Sequence, residues 1–225
     1  MLNVPLLDST ILSTINKKLT ETFGGEFSEV IIGGAALNPE AEEFFKKIGF
    51  RFTVGYGMTE CAPLISHSFW HEFKLHSVGK ILPTMEAKIL SNDPQNEVGE
   101  IIVRGENVML GYYKNEEATR LAIDEDGWLH TGDMGTMDFD GTIYIKGRNK
   151  NMLLGPSGQN IYPEEIENKL NNMPFVMESL VLQNAENKLV ALVVPDYDAM
   201  DEAKLTTKDL EMVMEENRKA LNATT

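Results

Sequence analysis

Residues 30–60, VIIGGAALNPEAEEFFKKIGFRFTVGYGMTE, carry the pattern that decides the fold. Val30-Ile31-Ile32 reads as a short buried strand that stops at Gly33-Gly34. Asn38 then opens a helix with Pro39 and Glu40 in its first turn. The Asn side chain accepts from unpaired backbone N–H groups, the proline gives up no needed donor, and the acid favours the positive end of the dipole. Phe44, Phe45 and Ile48 form the apolar face, Gly49 ends the helix, and Arg51–Val54 reads as a second strand breaking into Gly55-Tyr56-Gly57. Strand, helix and strand within about thirty residues make a βαβ unit with parallel strands. Ligands of such sheets bind beyond the carboxyl ends of the strands. Gly33-Gly34-Ala35 and Gly55–Glu60 therefore belong on one rim.

Upstream, Leu7, Ile11, Leu12, Ile15, Leu19 and Phe23 recur at helical spacing, with Asp8 or Ser9 as cap and Gly24-Gly25 as stop. From Met85 the character changes. Met85–Leu90, Val98–Val103 and Thr142–Lys146 read as short strands between turns such as Asn92-Asp93-Pro94 and Asp140-Gly141, with one helix at Glu116–Ala122. After Gly147 comes a polar, glycine-containing connector. A helix from Pro163 (Ile166 and Leu170 inward), a hairpin of Val176–Gln183 with Lys188–Val194, and a helical tail over Thr206–Leu221 complete the chain. The segments divide as 1–84, α/β; 85–147, β-rich; 148–151, hinge; and 152–225, small and α+β.

Twenty basic against thirty-five acidic side chains leave a formal charge of −15, which argues against nucleic acid and anionic lipid as general partners. The lone Cys61 forms no intramolecular disulfide, which fits a cytoplasmic setting. No run reaches the length of a membrane span, no signal-peptide pattern opens the chain, and no basic amphipathic anchor occurs. Peripheral contact with a lipid surface stays open.

Tyr56-Gly57-Met58-Thr59-Glu60 sets an aromatic for a purine, a hydroxyl or backbone N–H for phosphate, and a carboxylate for Mg²⁺ on one loop. Thr131-Gly132-Asp133 reads as an acidic turn whose Asp133 could accept from both hydroxyls of a ribose. Arg148, after Gly147, carries a planar fork suited to phosphate or ribose oxygens. Each also has a plainer reading: a polar turn capped by Thr59, an ordinary Asp turn, a solvated arginine. Several matches fail on chemistry. Thr53–Gly57 spells a potassium-channel filter without membrane helices to hold it. His67, His71 and His76 lack both the HExxH glutamate and a cysteine cluster, although His67 and His71 would share a helical face. Cys61 has no activating base nearby and reads as a small buried thiol. Neither GxxxxGK[ST] nor GxGxxG occurs.

As an ordered set, however, Gly33-Gly34-Ala35, Tyr56–Glu60, Gly99-Glu100…Arg104-Gly105 with Gly111-Tyr112-Tyr113, Trp128–Asp133, and Gly147-Arg148 leading to Asn160–Glu167 resemble the adenylate-forming enzymes. The wording is most similar to bacterial long-chain fatty acid–CoA ligases. The resemblance implies an α/β fold: the C-terminal part of the large acyl-CoA synthetase domain, a βαβ sheet plus β-rich subdomain, joined to a partial small α+β domain. It implies ATP/AMP, Mg²⁺ and, as co-substrate, CoA. Gly33, Gly34, Ala35 and the backbone of Tyr56, Gly57 and Met58 would hold adenine. Thr59 would meet the α-phosphate, Glu60 would bind Mg²⁺, and Asp133 would hold the ribose. Arg148 would contact ribose or phosphate, Lys150 would be the hinge, and the loop Gly155–Gly158 would approach the site during thioester formation.

Two family segments have no match here: the Ser/Thr/Gly-rich loop ending in Pro-Lys-Gly, and the terminal Gly-Lys segment that carries the adenylation lysine. Arg218-Lys219 lies in a different context. The chain accordingly reads as a C-terminal fragment that starts inside the large domain and stops inside the small one. As such it would be catalytically crippled, with apolar surface open to self-association. Two rival functions share the motifs: adenylation of an amino or aryl acid for a carrier-protein thiol, and non-catalytic nucleotide binding.

Overall fold

The computed structural model describes residues 9–155 and 157–224. Leu7 and Asp8 of the first helical stripe, and Pro156 of the glycine loop, lie outside the described residues. The chain divides into two compact units, Met1–Ile145 and Lys146–Thr225.

In the first unit, α1 (Ser9–Thr22) precedes β1 (Val30–Ile32), α2 (Pro39–Ile48) and β2 (Phe52–Val54). β1 and β2 pair in parallel, Val30 opposite Phe52 and Ile32 opposite Val54. The local chemistry of α2 is that of the sequence pattern: Asn38 Oδ1 accepts from the Glu40 and Ala41 N–H groups, and Gly49 closes the helix at φ +72°. Phe50, Phe45, Phe52 and Phe73 pack in that order into one core, each ring tilted or edge-on to the next with centroids 5.4 Å apart. Leu12, Ile15 and Leu19 of α1 pack against it. The exposed His76 donates its backbone N–H to the buried Glu42 of α2 at 2.7 Å, fastening the helix to the following loop.

The segment read as a break after β2 is itself paired. β3 (Tyr56–Gly57), β4 (Leu64–His67) and β5 (Lys80–Ile81) form a small antiparallel sheet. His67 thus ends a strand, and no helix joins it to His71. Next, β6 (Met85–Leu90), β7 (Gly99–Gly105), β8 (Leu129–Met137) and β9 (Ile143–Arg148) order as β6-β7-β8-β9, with α3 (Glu116–Ala122) between β7 and β8. β9 runs across the division between the units. A second core gathers Tyr56, Cys61 and Ile65 with Met85, Ile89, Ile101, Val103, Leu129 and Ile143.

Strand β8 corrects the sequence reading, because Thr131-Gly132-Asp133 is not a turn. The pairing of β7 with β8 shifts register between Glu100 and Ile102, and Gly132 takes φ +71°. This is a β-bulge, which uses the same left-handed glycine that a turn would use but lets the strand continue. Asp133 therefore stands on a rigid ladder.

In the second unit the expected connector contains a short hairpin, β10 (Leu153–Leu154) with β11 (Asn160–Ile161). Then come α4 (Pro163–Leu170), the antiparallel pair β12 (Val176–Gln183) and β13 (Leu189–Pro195), α5 (Tyr197–Glu202) and α6 (Leu210–Thr224). Leu170, Val176, Val181, Met200 and Val213 are its buried apolar centre.

Candidate functional site

The two glycine-bearing strand ends meet. Gly55 N–H donates to the Ile32 carbonyl at 2.9 Å, and a β-carbon placed on Gly33 would lie 3.2 Å from the Gly55 carbonyl oxygen. Gly34 follows at φ +91°. Gly33, Gly34 and Ala35 are exposed, which leaves their backbone accessible.

Beyond Gly57 the chain closes a tight turn. Met58 N–H donates to the Pro63 carbonyl at 2.8 Å, and Cys61 and Ala62 N–H donate back to the Met58 and Thr59 carbonyls. A β-carbon on Gly57 would overlap the Pro63 carbonyl, so the position admits only glycine. From the other side Asn107 Nδ2 donates to the Cys61 carbonyl at 2.6 Å and to the Leu64 carbonyl at 2.8 Å. Met109 N–H donates to the Glu60 carbonyl at 2.7 Å. So held, Thr59 is exposed and Glu60 half-buried, with its carboxylate accepting from the Tyr112 hydroxyl at 2.8 Å. Cys61 is fully buried; burial first, and the Glu60 charge second, push its thiol up to about 11. A thiol so protonated is no nucleophile at neutral pH.

Asp133 joins the Tyr56 end of this loop. The Tyr56 hydroxyl donates to Asp133 Oδ2 at 2.6 Å, and both residues are buried. The bulge under Asp133 is pinned twice. Thr131 Oγ1 donates to the Ile101 carbonyl and accepts the Asp133 N–H, while Glu100 Oε1 accepts the Gly132 N–H at 3.0 Å. Glu100 Oε2 meets His130 Nδ1 at 3.0 Å. Neither Glu100 nor Asn107 was assigned a role from the sequence. Glu100 stood inside the quoted Gly99-Glu100 pair, whereas Asn107 gave no signal beyond its residue type.

Burial, then the Asp133 charge, hold the Tyr56 phenol well above the usual tyrosine range. Above about pH 10 an unfolded chain loses this proton while the folded chain keeps it, so the unfolded state binds fewer protons and stability falls as pH rises. Tyr56→Phe removes the ionisable proton and with it this loss. Urea midpoints at about pH 8 and about pH 11 are expected to show a smaller alkaline drop in the mutant than in wild type. An equal drop in both would remove Tyr56 as its source.

Arg148 and Lys150 belong to the second unit. Arg148 ends β9 and Lys150 sits in a 3₁₀ turn over Asn149–Asn151; both are exposed. The start of α4 holds the segment on either side of them: Lys146 pairs with Glu165 at 3.2 Å, and Asn151 Nδ2 donates to Glu164 Oε1 at 2.7 Å. The structure thus gathers Gly33–Ala35, Tyr56–Glu60 and Asp133 within the first unit and sets Arg148 and Lys150 in the second.

For a metal, the donor set is lean. Among the described residues no three His, Cys, Asp or Glu side chains cluster as ligands. A single accessible carboxylate such as Glu60 fits Mg²⁺, which keeps several waters and takes phosphate oxygens rather than demanding an all-protein cage.

Residues 4–113 match the model of the AMP-binding enzyme family. Long-chain-fatty-acid–CoA ligase FadD15 of Mycobacterium bovis is 32% identical over 187 residues, which is 83% of this chain and 30% of that protein. The chain belongs to the AMP-binding enzymes. A second relative of this AMP-binding chain, long chain acyl-CoA synthetase 6, peroxisomal, of Arabidopsis thaliana, is 37% identical over 206 residues, covering 87% of this chain and 29% of that one. This chain therefore spans about a third or less of the length of these curated relatives. In three dimensions it matches O-succinylbenzoate coenzyme A synthetase of Bacillus subtilis in complex with AMP. The TM-score is 0.69 at 30% identity, over 86% of this chain and 44% of that one. The same synthetase, solved with ATP and a magnesium ion, matches at a TM-score of 0.67 and 27% identity, over 89% of this chain and 49% of that one. The fold is that of the adenylate-forming enzymes, represented here in part. No described helix is long and apolar enough to cross a membrane.

Proposed function

We propose that this chain supplies the adenine and ribose wall, together with the pivot segment, of an AMP-forming ligase that activates a long-chain fatty acid and passes it to CoA. In the first step a carboxylate oxygen attacks the α-phosphorus of ATP; the acyl–O–P bond forms and pyrophosphate leaves. In the second, the CoA thiol attacks the acyl carbon, AMP leaves as the C–O bond breaks, and the thiol proton goes to solvent. The observation that carries this reading is the Tyr56–Asp133 hydrogen bond. It joins residues 77 apart into one rim with the exposed Gly33–Ala35 backbone and the Glu60 turn. On it, Gly33–Ala35 and the Tyr56–Met58 backbone face adenine, Asp133 the ribose and Thr59 the α-phosphate. Glu60 would hold Mg²⁺, which when bound offsets charge developing on the phosphates. By the family resemblance Arg148 would contact ribose or phosphate, and Lys150 would be the hinge.

The fatty acyl chain rests on the sequence relatives, since the structural relative named above is a synthetase for O-succinylbenzoate. A panel of palmitate, O-succinylbenzoate and an amino acid, assayed by pyrophosphate release from the complete enzyme, separates these readings. Preference for palmitate by at least about tenfold in kcat/KM, or about 1.4 kcal/mol, is the expected result. Expressed alone, the 225 residues contain neither the Pro-Lys-Gly phosphate loop nor the C-terminal Gly-Lys segment, Gly79-Lys80 lying in a different context. With palmitate, CoA and ATP they are expected to release no pyrophosphate above background. Robust turnover by this chain would overturn the assignment of phosphate handling to those segments.

A further inference from the structure

The segment after β7 does more than connect it to α3. Three of its residues grip the Thr59–Cys61 turn: Asn107 through the Cys61 and Leu64 carbonyls, Met109 through the Glu60 carbonyl, and Tyr112 through the Glu60 carboxylate. Met109 fixes the backbone of Glu60 and Asn107 that of Cys61 and Leu64, whereas the bond to the Glu60 carboxylate comes, among the described residues, from Tyr112. Tyr112 is itself aimed by α3. Its N–H donates to Thr119 Oγ1 at 2.9 Å, and Thr119 Oγ1 donates to the Asn115 carbonyl at 2.8 Å. A β-carbon on Gly111, which has φ +146°, would collide with the Thr119 side chain. The next aromatic, Tyr113, is 88% exposed, and the only ring contact described for it is with Lys114. Both tyrosines are exposed, Tyr112 at 40%, but only Tyr112 is described as donating to a carboxylate.

We infer that Tyr112 is a positioning residue for the Glu60 carboxylate, occupying one oxygen so that the other is presented to a divalent cation. The inference rests on the reading of Glu60 as the Mg²⁺ ligand. Donation from Tyr112 stops rotation of the carboxylate about its terminal torsion, which is otherwise broad. A hydrogen bond from a hydroxyl to a carboxylate is charge-assisted, and at 2.8 Å it fixes which oxygen is taken. Outer hydrogen bonds of this kind tune metal affinity because they orient the ligand before the ion arrives. Thr119 and Gly111 extend the same line of support back into α3, so the metal-facing group of one loop is set by a helix more than fifty residues downstream.

The test is Mn²⁺ binding, read by the electron paramagnetic resonance signal of free Mn²⁺, in the complete enzyme saturated with α,β-methylene-ATP, so that no turnover is needed. Tyr112→Phe is expected to weaken Mn²⁺ about tenfold, with nucleotide affinity measured in the absence of metal unchanged. Tyr113→Phe is expected to bind Mn²⁺ as wild type does. Thr119→Val, which removes the support at one remove, is expected to fall between the two. If Glu60→Gln weakens Mn²⁺ and Tyr112→Phe does not, the positioning role is wrong while the metal reading of Glu60 stands. If neither changes Mn²⁺ affinity, the metal reading fails and the role of Tyr112 goes with it. If Tyr112→Phe lowers Mn²⁺ and metal-free nucleotide affinity equally, Tyr112 acts on the fold of the loop and the inference is overturned.

Discussion

Replacing Gly57 with alanine is expected to cost about 3 kcal/mol or more, because the added methyl meets backbone rather than a movable side chain. The new β-carbon would overlap the Pro63 carbonyl, its carbon and the Leu64 Cα. Relief requires opening the Met58–Pro63 hydrogen bond, which closes the turn that carries Thr59 and Glu60. The loss is a large part of the roughly 5–15 kcal/mol that stabilises a typical domain. In a thermal melt followed by circular dichroism it should lower Tm by roughly 10 °C. Gly34→Ala is the matched control. Gly34 has φ +91°, and an added methyl there would meet no heavy atom within 4 Å. Its cost is the left-handed backbone alone, about 1–2 kcal/mol. Equal melting shifts for the two mutants would show that the Gly57–Pro63 approach does not govern this loop.

What was legible in the sequence was what short-range chemistry decides. Asn38, Pro39 and Gly49 mark the two ends of α2 through groups within a few residues of each other, and β1 and β2 follow from apolar runs on either side. The parallel pairing then needs only the length of the crossover. What stayed hidden depends on partners far along the chain. Gly132-Asp133 has the composition of a turn; that it is a bulge follows from Glu100, thirty-two residues away, and from the Ile101 carbonyl. Strands β3, β4 and β5 have two to four residues each and exist as strands because of one another, not because of propensity. The same limit governs the site. The motifs name Glu60 and Asp133 as candidates and contain Tyr56, Tyr112 and Glu100, but the contacts that join these residues, and the part played by Asn107, run across 46 to 77 positions or through a bulge no local pattern announces.

The buried Tyr56–Asp133 pair makes Asp133 the most informative residue to remove. If its carboxylate holds the ribose, Asp133→Ala loses two charge-assisted hydrogen bonds, together about 3 kcal/mol, or roughly a hundredfold in ATP affinity. The same mutation also leaves the Tyr56 hydroxyl without its acceptor in a buried place, at about 1–3 kcal/mol of stability. The two losses are separable. Tyr56→Phe alone deprives Asp133 of one donor and should cost stability while leaving most of the ATP affinity. In the double mutant both polar partners are gone, so the stability penalty should be less than the sum of the single ones. ATP affinity should stay as weak as in Asp133→Ala. Isothermal titration with ATP and urea unfolding on the four proteins close the cycle. A double mutant that regains stability and ATP affinity together would mean that Asp133 serves the fold and never touches the ribose. Regained stability with affinity still lost would assign the two tasks to the two oxygens of one carboxylate: Oδ2 on Tyr56, and Oδ1 on the nucleotide.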